Sequence, residues 1–219
     1  MTTSPSLGIT EISDQQAGAE TTHNQAIRLL EVVAHGGIKD RNLAAPPGSP
    51  TDGDSYIVAA SGSGDWSGKD NNIAIDIAGT WFFIAPVEGM NVYLQDENTD
   101  AMWNGSAWCA REGTQVLADA STLVWDTSLG TNATITLSVT RTMGTPTNLN
   151  VNWIYKVWFT QPPAGGSYVA ADITWPSIFR FQNSAHNLSS AGGRVDFVSF
   201  RWDGTYMNED SRRTHLEAD

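Results

Sequence analysis

NIAIDIAGTWFFI, residues 72–84, is the stretch that decides the fold class. Ile73, Ile75 and Ile77 alternate with Ala74, Asp76 and Ala78. A period of two sends alternate side chains to opposite faces, so this segment predicts a half-buried strand. Gly79 supplies a turn, and Trp81-Phe82-Phe83-Ile84 follows as a second strand. Outward from this pair, Ser55 to Ala60, containing Tyr56-Ile57-Val58, reads as a strand on one side. Val92 to Leu94 reads as a strand on the other. Asn104-Gly105, set between Met102-Trp103 and Ala107-Trp108, predicts a hairpin, because Asn-Gly suits a type I′ turn. Together these make a small, tryptophan-rich β-meander.

The second half repeats the alternation in longer runs. In Thr134 to Val139, Ile135, Leu137 and Val139 share one face. Ile154 to Thr160 (IYKVWFT) and Val195 to Trp202 (VDFVSFRW) are further strands, and Asp203-Gly204 predicts a hairpin turn before Tyr206. The spacing of strands and turns points to a β-sandwich or jelly-roll-like domain. The Gly-to-aromatic steps at Gly79, Gly105 and Gly204 repeat hairpin chemistry and set no solenoid period.

One helix is predicted ahead of the strands. Thr22 and Gln25 have capping-box spacing. His23, Ile27, Leu30 and Ala34 recur at steps of four, three and four, on one helical face that Leu29, Val32 and Val33 widen. Gly36-Gly37 ends it. So much apolar surface must be covered, either by the helix's own domain or by copies of the chain around a symmetry axis. The expected organisation is an N-terminal arm and oligomerising helix (1–37), a small β domain (38–112), a β-sandwich domain (113–208) and a flexible tail (209–219). The fold class is therefore mainly β.

Composition narrows the functions. Charged residues are only 16% of the 219, and acids outnumber bases 24 to 12, for a net charge of −12. A surface of that sign repels nucleic acid, and no run of Lys and Arg offsets it; Arg212-Arg213 lies among Glu209, Asp210 and Glu217. No apolar run approaches the roughly 18 residues of a membrane span. Met1 to Ile9 lacks the basic start and apolar block of a signal peptide. The expectation is a chain made in the cytoplasm. The lone Cys109 permits no internal disulfide or Cys-pair metal site and reads as a small buried residue.

Catalytic signatures are sparse. The four histidines, His23, His35, His186 and His215, are scattered without metal-ligand spacing. No nucleophile elbow or phosphate-binding glycine loop occurs. Glycosidases need paired carboxylates, but Asp52 with Asp54, and Asp96 with Glu97 and Asp100, look like turn composition. Asp65 to Asn72 (DWSGKDNN) offers oxygen ligands for calcium without the order and closing Glu of an EF-hand. No cofactor and no metal is expected. Nine tryptophans are unusual. Most should be core or interface, given their large apolar area. Trp66, Trp81 and Trp108 sit beside turns and are the candidates for an exposed, sugar-stacking surface.

Taken in order, THNQAIRLLEVVA (22–34), the segment 47–97 and MWNGSAW (102–108) resemble a family of phage and gene-transfer-agent fibre proteins known mainly as a domain of unknown function. The resemblance rests on Asn24 and Ala26, Gly53 to Val58, Trp66 to Gly68, and Trp103 to Trp108, and covers residues 10–112. TLVWD (122–126), ATITLSVTRTMGTPTNL (133–149), ITWPSIFRF (173–181) and GRVDFVSFRWDGTYM (193–207) resemble a β-domain widespread in phage fibres and minor virion proteins.

These resemblances imply a structural, non-enzymatic spike or fibre subunit on the head or tail of a phage-like virion. They imply a homo-oligomer, a trimer or a pentamer, in contact with other virion proteins. A carbohydrate-binding module for host surface polysaccharide is the alternative reading. A polysaccharide-degrading enzyme is the third.

Overall fold

The computed structural model describes residues 19–35, 37–163, 170–184 and 187–216. It is mainly β, with one helix near the N-terminus followed by several sheets. The chain divides into two compact units between Trp108 and Cys109. Residues 1–18 of the expected N-terminal arm, and His186, lie outside the described residues.

The first unit opens with helix α1 (Ala19–His35), which starts ahead of the predicted Thr22–Gln25 cap. Ala19 and Glu20 are good helix formers and extend it backward. Strands β1 (Gly37–Ile38) and β2 (Ser55–Ile57), a single 3-10 turn (Gly64–Trp66), β3 (Ile73–Ile77), β4 (Thr80–Ile84), β5 (Asn91–Leu94) and β6 (Thr99–Trp103) follow, and β7 (Trp108–Ala110) begins on the unit's last residue. They form a sheet ordered β1-β5-β6-β7 and a second ordered β2-β3-β4.

β3 is buried along its whole length, not half-buried as the alternation suggested. It is the central strand, and both faces are covered. Ile73, Ile75 and Ile77 join a core with Val32, Ile38, Leu94 and Trp103. On the opposite face, Ala74 joins Tyr56, Val58 and Trp66. The β3–β4 turn, Ala78-Gly79, has positive φ at both residues, 51° and 81°. That is the geometry a two-residue hairpin needs, and Gly79 adopts it without steric cost. At Asn104-Gly105 the turn is made differently. Only Gly105 has positive φ, and the Asn104 side-chain oxygen accepts the N–H groups of Ser106 and Ala107.

The second unit comprises β8 (Thr114–Val116), β9 (Thr122–Leu123), β10 (Asn132–Thr136), β11 (Arg141–Met143), β12 (Ile154–Thr160), β13 (Ile173–Thr174), β14 (Phe179–Arg180), β15 (Val195–Trp202) and β16 (Met207–Leu216). The sheets are ordered β14-β16-β15-β12-β10-β8 and β13-β11-β9. From β8 to β13 the chain alternates between the two sheets. Each return adds a strand parallel to the last: β10 pairs with β8 and β12, and β11 with β9 and β13. This is a short β-coil, capped by antiparallel β15 and β16. Two sheets do enclose one core, since Leu123, Met143 and Ile173 meet Ile135, Tyr155, Val157 and Phe159. The winding, however, is solenoid-like, whereas a jelly roll pairs its strands antiparallel. Successive coils approach closely at Gly113 and Gly130, where a Cβ on Gly130 would lie 1.9 Å from the Gly113 oxygen. The segment expected as a flexible tail from residue 209 is strand β16 as far as Leu216. Its polarity belongs to a strand next to the sheet edge, where charges discourage further pairing.

Candidate functional site

Helix α1 lies on the first unit by one face only. Val32 is buried in the core that contains Ile73 and Ile75, and Leu29 packs against it. Arg28 Nη1 donates to both oxygens of Asp52, at 2.6 and 2.8 Å, and Asp52 Oδ1 accepts the Ala78 N–H at 2.9 Å. One carboxylate thus ties the helix to the β3–β4 turn. Partial burial works to raise the Asp52 pKa. The Ala78 amide and the Arg28 guanidinium outweigh it and hold the carboxyl below its ordinary value. A cavity of about 420 Å³ lies beside this contact, lined by Asn24, Gln25 and Arg28 from α1 and by Ile77, Thr80 and Phe82.

The other face of α1 is open. Leu30 is 63% exposed and Val33 42%. His23, Ala26 and Ala34 are also exposed, and Ile27 is half-buried. The four residues singled out by spacing, His23, Ile27, Leu30 and Ala34, therefore fall together on the outward side. Leu29 and Val32, which were read as widening that face, turn inward instead.

The tryptophans chosen as a sugar surface do not form one. Trp66 is fully buried, 5.1 Å from the ring of Trp81 and 5.7 Å from that of Tyr56. Its loop folds inward because the Asp70 carboxylate accepts the N–H groups of Ser61 and Gly62. Trp108 is buried, packs 5.6 Å from Trp103, and donates its indole N–H to the Asn71 carbonyl at 2.9 Å. Trp81 is half-buried, with its edge to Trp66. A sequence shows that a tryptophan is next to a turn, not which way the turn folds.

Asp52, Asp54 and Glu97 are engaged in the scaffold. Lys39 pairs with Asp54 at 2.6 Å, and Arg41 with Glu97 at 2.6 Å. Burial, then the nearby Asp40 charge, raises the Asp96 pKa. In the segment weighed for calcium, Asp70 spends its oxygens on backbone amides. Among the described residues, no three His, Cys, Asp or Glu side chains gather as a metal site, and no helix is long and apolar enough to cross a membrane.

Two features of the second unit escaped the sequence reading. Trp158 and Phe197 pack at 5.1 Å on the outer face of the six-stranded sheet. Beside them is a cleft of about 350 Å³ that contains Arg111, Lys156 and Arg201. The signal was present in IYKVWFT, where Lys156 and Trp158 alternate with buried Tyr155, Val157 and Phe159.

Residues 23–109 match a protein family described as "Protein of unknown function (DUF2793)". The match takes in α1 from His23 and the first unit's two sheets. No curated protein matches the chain.

Proposed function

We propose that this chain is a structural subunit of a phage or phage-like particle, a gene transfer agent included, and forms a head or tail spike or fibre by assembling with itself through α1. The observation that carries the reading is the open apolar face of a helix whose opposite face is already packed. Covering a Leu side chain contributes about 1.5–3 kcal/mol, so a ring of such faces around a trimer or pentamer axis is a large gain. A contiguous exposed apolar patch of this kind marks an interaction site. In this account the chain is not an enzyme. It contacts itself and neighbouring virion proteins, binds no nucleic acid, inserts in no membrane, and resides in the virion after assembly in the host cytoplasm.

The test is made on particles purified from a host that carries the gene. The chain is expected in fixed stoichiometry to the main shell or tail protein. Leu30→Glu combined with Val33→Glu should remove it from particles while the protein stays folded and expressed. Absence of the wild-type chain from purified particles refutes the reading. Removing residues 1–37 is a poorer test, because it also strips Val32 from the core.

A further inference from the structure

The chain has 24 acids and 12 bases, yet one surface runs against that balance. On the outer face of the six-stranded sheet, strand register brings Lys156, Trp158, Phe197, Arg201 and Arg213 to the same side. Trp158 and Arg213 both lie opposite Phe197, and Arg201 lies opposite Ile154, two residues from Lys156. The outward positions of β8, β10, β12 and β15 include no Asp or Glu. Asp210, at the bulge of β16, comes within 3.8 Å of Arg201.

At the Lys156–Arg201 end, the cleft of about 350 Å³ adds Arg111 and one carboxylate, Glu112. Three cations less one acid leave this lining at +2. Arg111 is stacked 5.1 Å over the Trp153 ring, which orients its guanidinium and leaves the N–H edge for a ligand. Arg201 Nη1 is anchored on the Asn152 carbonyl at 3.0 Å. Among the described residues, Arg111, Lys156 and Arg213 have no carboxylate at ion-pair distance.

We propose that this face binds an acidic polysaccharide, with uronate carboxylates held by Arg111, Lys156 and Arg201 and a sugar ring seated on the Trp158–Phe197 pair. Positive charge beside a half-buried aromatic pair fits a ligand that is anionic at its carboxylates and apolar on its ring faces. Lys156 and Trp158 are about 6.7 Å apart along the strand, the scale of one sugar ring. The cleft volume falls in the range typical of ligand sites, about 300–1,000 Å³. The face belongs to the second unit and does not depend on assembly through α1.

The experiment is calorimetric titration of the full chain with size-fractionated oligogalacturonate at low and moderate salt. Saturable binding that weakens with salt is expected, because the contacts are exposed charges. Lys156→Gln and Arg201→Gln should each weaken it about tenfold, the loss of one charge-assisted hydrogen bond. Trp158→Ala should weaken it with circular dichroism unchanged, while Lys69→Gln in the first unit should leave it unaltered. A neutral cello-oligosaccharide should not bind, and acetate or phosphate should compete only weakly. The proposal is overturned if oligogalacturonate gives no saturable heat, or if the Lys156→Gln/Arg201→Gln double variant binds like wild type. It is equally overturned if acetate or phosphate matches the oligosaccharide, or if polyglutamate binds and oligogalacturonate does not.

Discussion

Replacing Trp66 by Phe and by Ala separates two contributions of one buried indole. The ring is fully buried between Tyr56 and Trp81, and its Nε1–H has no hydrogen-bond partner among the described residues. Trp66→Ala deletes the ring and leaves a cavity, at a cost of about 3–5 kcal/mol. That is a large share of the roughly 5–15 kcal/mol that holds a whole domain. Trp66→Phe keeps most of the apolar contact. It loses some buried area but also removes an unsatisfied buried donor, whose desolvation costs about 1–3 kcal/mol. The two effects oppose each other, so the net change should stay within about 1 kcal/mol. Urea unfolding of the full chain, followed by circular dichroism, measures both. Equal losses for Phe and Ala would refute the orphaned donor. A loss below about 1 kcal/mol for Ala would refute core packing and restore Trp66 as a sugar-stacking candidate.

Three further outcomes follow from local geometry. The Arg141 guanidinium and the Ser138 hydroxyl and amide beside Asp119 hold its carboxyl at about 2, against an ordinary 3.8, with partial burial opposing them. A depressed folded pKa contributes stability above the unfolded value that disappears as pH falls from about 4 to about 2; Asp119→Asn should lower the melting temperature at pH 7 and flatten that acid-side loss in a melting series. Gly130→Ala should destabilise the fold by on the order of 3 kcal/mol, seen as a lower urea midpoint, because its Cβ would collide with the Gly113 backbone rather than with a yielding side chain. Cys109 is buried, so a thiol-specific chromogenic reagent should label it at the rate of unfolding in native buffer and at once in urea.

The long alternating segments were legible because period two is a strong signal. Ile154–Thr160 and Val195–Trp202 coincide with their predicted limits. The coil was not legible. Its second sheet is built from strands of two or three residues, too short to show a period, and its coils differ in length. EDSRRTHL (209–216) reads as a tail because its pairing with β15 is made by backbone groups that leave no trace in side-chain polarity. In the helix, spacing marked the outward residues His23, Ile27, Leu30 and Ala34, yet it could not say that Leu29 and Val32 would turn to the core. The misplaced sugar surface has the same origin. Proximity to a turn is written in the chain, but the Asp70 contacts that fold Trp66 inward span eight or nine residues and have no short motif.

The central claim is self-assembly through α1, and the mass of the full-length chain in solution, by light scattering at micromolar concentration, tests it most directly. The account predicts three or five times the 23.7 kDa of one chain. With Leu30→Glu and Val33→Glu together it predicts a fall to the single-chain mass with unchanged circular dichroism. A wild-type chain that stays at 23.7 kDa, or an oligomer that survives both substitutions, contradicts it.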